Sequence, residues 1–282
     1  DPSLKHQTFE FLQGGFLFLP GDATAALPNL DVREDNAPEA KAEARQTLKD
    51  ALQADGYGSR AKIVRINALT TEWGNEDVRV LRDAGADIFL LPKVNNPSDV
   101  DALADLLDPQ MSIWVMMETP ICVFNAPEIA AHHRVRGLVT GTNDLTKDLG
   151  CRYRPDRQPL MTALQRIVMA ARAARGVVAI DGVYNRFRDG DGLRAECEQG
   201  RDLGFDGKTL IHPMQIDVTN TAFAPSESEI DLARRQIAAF EESQASGLGI
   251  AVVDGQIVEN LHIVAAKQTL AKVEAIAARA AE

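Results

Sequence analysis

An α/β fold, more specifically a (β/α)8 TIM barrel with a C-terminal appendage of helices and a hairpin, is predicted from three features of the sequence. Short apolar runs alternate with longer segments of helical period, as in parallel strands joined by right-handed crossovers. Seven such runs are legible, and an eighth would close a barrel. No glycine-rich dinucleotide fingerprint supports the alternative, an open doubly wound sheet.

The individual elements follow from where each apolar run stops. The predicted strands are residues 16–19, 62–66, 88–91, 113–117, 137–140, 177–180 and 208–211. The second strand of the barrel is the one that the pattern predicts least clearly. Only residues 30–32 lie between the strands predicted at 16–19 and 62–66, and their surroundings are polar. The predicted helices are residues 40–54, 75–84, 98–107, 160–175, 192–203 and 226–243, with Ser98 as an N-cap.

The pattern divides the chain into a catalytic barrel over residues 1–224 and an appendage over residues 225–282. After Pro225 come a long helix, a hairpin around Asp254 and Gly255, and a final alanine-rich helix. We expect this appendage to pack on a neighbouring subunit.

Composition limits the class of protein. The 282 residues include 30 Lys and Arg against 41 Asp and Glu, a net charge of −11, which argues against a nucleic-acid binder. The three cysteines, Cys122, Cys151 and Cys197, are too few and too widely spaced for a disulfide framework or a zinc signature. No apolar run approaches the ~18 residues of a membrane span. We therefore expect a soluble, cytoplasmic protein with no membrane partner.

Polar residues follow the predicted strands, and the carboxyl ends of barrel strands are where active sites form. These residues are Arg65, Asn67, Lys93, Glu118, Asn143, Asp144, Asp181 and His212. Glu118 and Asp144 end consecutive strands, and two carboxylates suit a hard cation that keeps several waters, which means Mg²⁺. The alternative for either carboxylate is that it caps the following helix.

Other candidates at the strand ends also have a structural interpretation. A charged Arg65 at the end of an apolar strand is costly unless paired, so it either forms a salt bridge or holds a substrate carboxylate or carbonyl. His212 is equally a satisfied core histidine, with Pro213 starting the next helix. Lys93 and Asp181 could pair with each other.

Seven blocks at these strand ends resemble the citrate lyase β-subunit-like (HpcH/HpaI aldolase) enzymes. The blocks are residues 64–68, 91–94, 117–119, 141–145, 180–184, 204–208 and 211–213. They occur in order, and the resemblance runs from about Pro38 to the C-terminus. Within the family the chain is most similar to the branch of malyl-CoA lyases and malyl-CoA thioesterases, including the block 253–260.

The resemblance implies an Mg²⁺-dependent barrel that acts on acyl-CoA esters of hydroxy diacids as a homotrimer or homohexamer. It places the metal ligands on Glu118 and Asp144, the substrate-binding arginine on Arg65, and the His212–Pro213 turn beside the CoA thioester. We also predict Arg65 to be catalytic. The predicted substrate-binding set is Arg65, Glu118, Asn143, Asp144, His212 and Pro213.

Three departures from the family pattern bear on function. Gly14 and Gly15 stand where the family has an Arg-Ser pair, and the second strand is shortened, so Glu34 and Asp35 are either its acidic pair or loop charges. Some family lyases use a C-terminal aspartate that reaches into a neighbouring subunit as an acid/base group. Here the nearest candidate is Glu259, which we therefore predict to be catalytic.

The leading hypothesis is a lyase that cleaves malyl-, methylmalyl- or citramalyl-CoA to an acyl-CoA and a 2-oxo acid through an enolate. The alternative is a thioesterase that hydrolyses (3S)-malyl-CoA to malate and CoA, since both reactions use the same metal and arginine. Further alternatives are a citrate lyase β subunit that takes a carrier-bound citryl group, and a non-catalytic CoA-binding relative.

Overall fold

The computed structural model describes residues 9–11, 16–17, 38–53, 57, 60–246 and 250–280. The described residues up to Phe223 form one compact unit, and those from Ala224 onward form a second. The catalytic role of residues 1–224 and the packing of residues 225–282 on a neighbouring subunit stay predictions.

The first unit is built on a parallel sheet. Six strands pair in chain order as a parallel half-barrel: β3 (Ala61–Arg65), β4 (Ile88–Leu91), β5 (Ser112–Met117), β6 (Val135–Thr140), β7 (Val178–Asp181) and β8 (Gly207–Leu210). Two short strands lie at its edges, β1 (Phe9–Phe11) parallel to β3 and β2 (Phe16–Leu17) antiparallel to β8. All six strands therefore end at one edge of the sheet, where the polar residues follow.

The two edge strands differ from the sequence prediction. Residues 16–19 were expected to form a parallel strand, but Phe16–Leu17 runs antiparallel to β8, and the place beside β3 belongs to Phe9–Phe11. Three residues in a polar stretch are too short for the period of a strand to be recognised. The predicted strand at residues 30–32 and the candidates Glu34 and Asp35 lie outside the described residues.

The strands are apolar on both faces because one face packs inside the half-barrel and the other packs against the helices. In β4, Ile88 and Leu90 point into the half-barrel, whereas Phe89 and Leu91 pack against the helices. Trp114 fills the interior layer, and its ring lies directly against Gly137, where an added Cβ would come 2.3 Å from Trp114 Cδ2. A glycine at this position of β6 is therefore a packing requirement.

Helices connect the strands and cover the outer face of the sheet. Those of the first unit are α1 (Pro38–Gln53), α2 (Gly74–Leu81), α3 (Pro97–Ala104), α4 (Pro120–Phe124), α5 (Ala126–Ala130), α6 (Thr142–Asp148), α7 (Met161–Ala173), α8 (Gly190–Leu203) and α9 (Ile216–Phe223). Short 3₁₀ turns cover Gln158–Leu160 and Pro213–Gln215. The N-cap of α3 is Asn96, followed by proline, and not the predicted Ser98.

The second unit consists of two long helices and a hairpin. They are α10 (Glu227–Ser246), β9 (Ala251–Val253), β10 (Gln256–Val258) and α11 (Asn260–Ala280). The turn residues Asp254 and Gly255 both have positive φ, as a two-residue hairpin turn requires. Arg235 Nη1 holds this turn through Asp254 Oδ1 at 2.7 Å. Within the described part of the chain, every helix is too short or too polar to cross a bilayer.

A cluster of four buried charges joins β7 and β8 to the elements around them. Arg157 Nη1 lies 2.7 Å from Asp181 Oδ2, and Lys208 Nζ lies 3.3 Å from the same oxygen. Lys208 Nζ also donates to Glu196 Oε1 at 2.5 Å. Burial alone would raise the pKa of Asp181, but Lys208 and Arg157 outweigh it and lower that pKa.

This cluster corrects two expectations about Asp181. The side chain was expected at the open rim of the strand ends, but it is fully buried and turned toward Arg157 and Lys208. It also does not pair with Lys93. The reason is that Lys208 in β8 brings a second buried charge beside β7, and each charge needs a partner of opposite sign.

Lys208→Met is expected to destabilise the first unit by about 3–5 kcal/mol, because it leaves Arg157 as the one cation of the cluster for two buried carboxylates, Asp181 and Glu196. Urea unfolding at pH 7 measures the loss. The matched control is Arg79→Gln, which breaks the exposed Arg79–Glu76 pair on α2 and should cost less than about 1 kcal/mol. Equal effects of the two substitutions would contradict a structural role for the cluster.

Candidate active site

The carboxyl ends of β3 to β6 surround a cavity of about 120 Å³. Arg65 is the last residue of β3, and Glu118 directly follows β5. Asp144 lies in the first turn of α6, which begins after β6, and Thr140 is the last residue of β6. The parallel sheet thus brings residues far apart in sequence to one cavity, with the predicted Arg65, Glu118, Asn143 and Asp144 among its lining residues.

Glu118 is the most buried charge of this cavity. Its side chain is inaccessible to solvent, and its Oε1 accepts a hydrogen bond from the backbone N of Lys93 at 2.8 Å. Its Oε2 is buried and accepts no hydrogen bond from the described residues. Burial raises the pKa of Glu118 despite the neighbouring positive charges of Arg65 and Lys93. A cationic ligand would relieve this cost.

The backbone around Glu118 leaves no room for other side chains. An added Cβ on Gly141 would lie 2.4 Å from Glu118 Cβ and 3.0 Å from Glu118 Oε2. Lys93 has φ 56°, a left-handed conformation that is uncommon for a residue with a side chain. This conformation accompanies two contacts with the cavity carboxylates, one through the backbone N and one through the ammonium.

The ammonium of Lys93 lies between the two predicted metal ligands. Its Nζ is 2.6 Å from Asp144 Oδ1 and 3.7 Å from Glu118 Oε1. Partial burial by itself would lower the pKa of Lys93, but the hydrogen bond to Asp144 and the charge of Glu118 raise it overall. A cation therefore already occupies the point where both carboxylates converge.

The arrangement of the two carboxylates, Glu118 and Asp144, fits an Mg²⁺ site. Glu118 and Asp144 converge on one positive charge, and Glu118 Oε2 has an unused lone pair in a buried position. Neither carboxylate caps a helix: the N-cap of α4 is Thr119, and the N-cap of α6 is Gly141. Across the residues that the structure describes, no group of three or more His, Cys, Asp or Glu forms a cluster, so water and substrate would complete the coordination.

Two further groups of the cavity face its open space. The guanidinium of Arg65 has Nη2 3.9 Å from Glu118 Oε2, and 37% of its side chain is exposed, so it remains available to a ligand. Thr140 Oγ1 is buried and has no hydrogen-bond partner among the described residues. A buried hydroxyl without a partner is costly, which indicates a position for water or a substrate oxygen. Sequence reasoning missed Thr140, because a threonine at a strand end carries no distinctive signal.

Asn143 belongs to the cavity and also connects it to the next loop. Its side-chain amide exchanges hydrogen bonds with that of Asn185, with Asn185 Nδ2 donating to Asn143 Oδ1 at 2.7 Å. This reciprocal pair fixes the loop that follows β7 beside the first turn of α6. Asn67, in contrast, is used structurally, because its Nδ2 donates to Asp77 Oδ2 at 2.7 Å.

His212 and Pro213 do not line the cavity with the carboxylates. His212 caps the 3₁₀ turn that Pro213 begins, with Nδ1 accepting from the backbone N of Met214 at 3.1 Å. The imidazole also stacks on Phe187, with 4.6 Å between ring centroids. Their contact with substrate stays a prediction.

Glu259 lies in the second unit, immediately after β10. Its side chain is exposed, and its backbone N donates to His262 Nδ1 at 2.9 Å. The other charge of the hairpin, Asp254, is paired with Arg235. The predicted acid/base role of Glu259 stays a prediction.

Glu118→Gln is expected to stabilise the folded chain at pH 7.5 by about 0.5–2 kcal/mol, as commonly follows when a destabilised functional group is removed. The folded-state pKa of Glu118 is raised, so its carboxylate costs stability above that pKa. The gain should shrink as the pH falls toward 4, because the carboxyl group is then protonated in the folded state and mostly protonated in the unfolded state. Urea unfolding in EDTA at both pH values measures it.

The control for this comparison is Glu76→Gln. Its carboxylate is exposed and hydrogen-bonded to Arg79, which lowers the pKa of Glu76. This variant should therefore gain no stability at pH 7.5. A loss of stability in Glu118→Gln would mean that Arg65 and Lys93 compensate the buried charge fully.

The fold and this cavity can be compared with known proteins. A (3S)-malyl-CoA thioesterase of Cereibacter sphaeroides (strain ATCC 17025 / ATH 2.4.3) is 52% identical over 98% of this chain and 99% of its own. Citrate lyase subunit β of Escherichia coli (strain K12) is 33% identical over 92% of each chain. The structure of CitE from Mycobacterium tuberculosis in complex with magnesium, acetoacetate and coenzyme A is 30% identical, with a TM-score of 0.71 over 89% of this chain and 88% of that chain.

The sequence profile of one protein family, HpcH/HpaI aldolase/citrate lyase, matches residues 30–213. These residues contain the half-barrel and the predicted metal ligands. The family resemblance inferred from the strand-end blocks is thereby confirmed. The chain belongs to the HpcH/HpaI aldolase/citrate lyase family.

Proposed function

We propose that this chain is a magnesium-dependent enzyme that hydrolyses a malyl-CoA-type thioester to the free diacid and CoA. The observation that carries the proposal is the convergence of Glu118 and Asp144 on the ammonium of Lys93, beside the partly exposed Arg65. The hydrolytic reaction is supported by the 52% identity, over nearly the whole length, to relatives named (3S)-malyl-CoA thioesterases. The sequence alone favoured the lyase, so this similarity reverses the order of the two.

In this proposal Glu118 and Asp144 would hold Mg²⁺, and the carboxylate and hydroxyl of the malyl group would bind beside them. When bound, the ion would supply Lewis acidity to the substrate oxygens. The guanidinium of Arg65 stabilises negative charge that develops on the thioester oxygen. Thr140 Oγ1, buried and without a partner among the described residues, orients a water or substrate oxygen in the cavity. We also keep Glu259 as the proposed acid/base group.

The second candidate is carbon–carbon cleavage to an acyl-CoA and a 2-oxo acid. It is supported by the 33% identity to relatives named citrate lyase subunit β. The same Arg65 would stabilise the enolate that forms on the acyl thioester. A closed (β/α)8 barrel and a homotrimer or homohexamer belong to the proposal for either reaction, as does a cytoplasmic location.

Mass spectrometry of (3S)-malyl-CoA incubated with the protein and Mg²⁺ tests the proposal, with EDTA as the control. We expect malate and free CoA. Acetyl-CoA with glyoxylate would establish the lyase instead. Persistence of malyl-CoA in the presence of Mg²⁺ would contradict both, and a carrier-bound citryl thioester would be the next substrate to assay.

Arg65→Ala is expected to lower kcat by about 10²–10³-fold, as removal of a transition-state donor does. Steady-state kinetics on the thioester that is turned over provide the measurement. The matched control is Arg175→Ala, an exposed arginine before the amino end of β7, which should keep wild-type kinetics. A change in KM alone would make Arg65 a binding residue.

A further inference from the structure

We propose that Lys93 competes with the divalent cation for Glu118 and Asp144, and that its ammonium transfers to Asp148 when the cation binds. Lys93 is then a positioning residue that sets the metal affinity of the site. The inference rests on the proposed function, because it takes Glu118 and Asp144 as the ligands of Mg²⁺. It goes beyond that function by giving a role to the lysine that lies between the two carboxylates.

The ammonium of Lys93 lies where a cation held by both carboxylates would have to lie. Its Nζ is 2.6 Å from Asp144 Oδ1 and 3.7 Å from Glu118 Oε1. Among the residues that the structure describes, this ammonium is the one hydrogen-bond donor to the Asp144 carboxylate. Mg²⁺ takes carboxylate oxygens in direct contact and with strict geometry. Because two cations at such short range repel each other strongly, metal binding requires the ammonium to leave Asp144.

The backbone of Lys93 allows the ammonium to leave without releasing Glu118. The backbone N of Lys93 donates to Glu118 Oε1 at 2.8 Å, which is the same oxygen that the ammonium approaches. This hydrogen bond and the left-handed φ of 56° fix the main chain two residues after β4. The side chain is 36% exposed, and its stem is flexible. The main chain can therefore keep its contact with Glu118 while the side chain turns away.

Asp148 offers the ammonium a second partner. It follows Asp144 by four residues on α6, so the two side chains lie on one face of the helix with their Cβ atoms about 6 Å apart. Asp148 is exposed, and within the described part of the chain it has no hydrogen bond or ion pair. A carboxylate in the last turn of a helix is disfavoured by the helix dipole, so a cation beside it is stabilising. Burial lowers the pKa of Lys93, but Asp144, Glu118 and, to a smaller extent, Asp148 raise it overall.

The ion pair of Lys93 has opposite effects on the fold and on metal binding. It stabilises Asp144 and the buried Glu118, to which the guanidinium of Arg65 comes only within 3.9 Å. The free energy of this ion pair is lost when a metal ion takes over Asp144, so it is subtracted from the metal affinity. A new ion pair with Asp148 would return part of that loss. Lys93 therefore weakens metal binding, and Asp148 limits how far.

Titration calorimetry of Mg²⁺ against the wild-type protein and its variants tests the competition. Lys93→Met keeps the approximate length of the side chain and removes its charge, so Mg²⁺ should bind about 10-fold more tightly. Lys93→Arg keeps the charge and should bind Mg²⁺ no more tightly than the wild type. The matched control is Lys147→Met, which removes an exposed lysine of α6 that has no ion pair within the described residues. It should change the Mg²⁺ affinity by less than about 2-fold, because a solvated charge is screened.

A double-mutant cycle in the same titration tests the transfer to Asp148. Asp148→Asn should weaken Mg²⁺ binding about 3-fold in the wild-type background, because the displaced ammonium loses its second partner. In the Lys93→Met background the same substitution should have a smaller effect, which reports only the charge lost near the metal. A merely structural role of Lys93 would not make the effect of Asp148→Asn depend on the ammonium.

Equal or weaker binding of Mg²⁺ by Lys93→Met would overturn the competition. Equal effects of Asp148→Asn in the two backgrounds would overturn the transfer. If Lys93→Met does not fold, Lys93→Gly replaces it, because glycine suits a φ of 56° and keeps the backbone N that donates to Glu118.

The proposed function fails in different ways. Unchanged Mg²⁺ binding by Glu118→Gln, or no binding by wild type and Lys93→Met alike, would refute the metal site and with it the inference. Mg²⁺ binding that Lys93→Met tightens, in a protein that turns over no malyl-CoA, would refute the proposed reaction and support the inference.

Discussion

The buried cluster of Arg157, Asp181, Glu196 and Lys208 is the constraint on which the active-site end of the first unit depends. Its members come from a loop, β7, α8 and β8, so each satisfied charge fixes one element against another. Arg157 has φ 50°, an uncommon backbone conformation that its hydrogen bonds to Asp181 and Gln199 hold in place. A network inside the fold thereby fixes β7 and β8 against the elements around them.

The catalytic cavity follows the opposite principle. In the buried cluster all four charges lie within 4 Å of an opposite charge, whereas Glu118 Oε2 and Thr140 Oγ1 are buried without a hydrogen-bond partner among the described residues. Polar groups left unsatisfied in a cavity cost stability unless a ligand binds them. This loss of stability arises at the ends of β5 and β6, where the sheet holds Glu118 and Thr140 away from other partners. This difference separates a structural cluster from a site prepared for substrate.

Much of this arrangement could be predicted from sequence, and the exceptions have physical causes. The parallel strands and the convergence of Glu118 and Asp144 follow from apolar runs that end in polar residues, because parallel strands all end at one edge. Asp181 obeys the same rule but turns inward, since its partner Lys208 is a long-range neighbour that no local pattern reveals. Phe9–Phe11 was missed because three residues are too few for a period. His212 was ambiguous in sequence, and its capping and stacking depend on Met214 and Phe187.

Charge balance explains why the cavity suits either of the two reactions proposed for it. Arg65 and Lys93 carry two positive charges, and Glu118 and Asp144 carry two negative charges, so the four side chains together are neutral. A divalent cation bound there would raise this sum to +2, which would match the proposed malyl carboxylate and one developing oxyanion. In the proposed function the oxyanion would form on the thioester oxygen that we assign to Arg65, as a tetrahedral intermediate in hydrolysis and as an enolate in carbon–carbon cleavage. The electrostatics are therefore common to both, and the outcome depends on where a base acts. Deprotonation of the malyl hydroxyl leads to cleavage, whereas delivery of a water to the thioester carbonyl leads to hydrolysis.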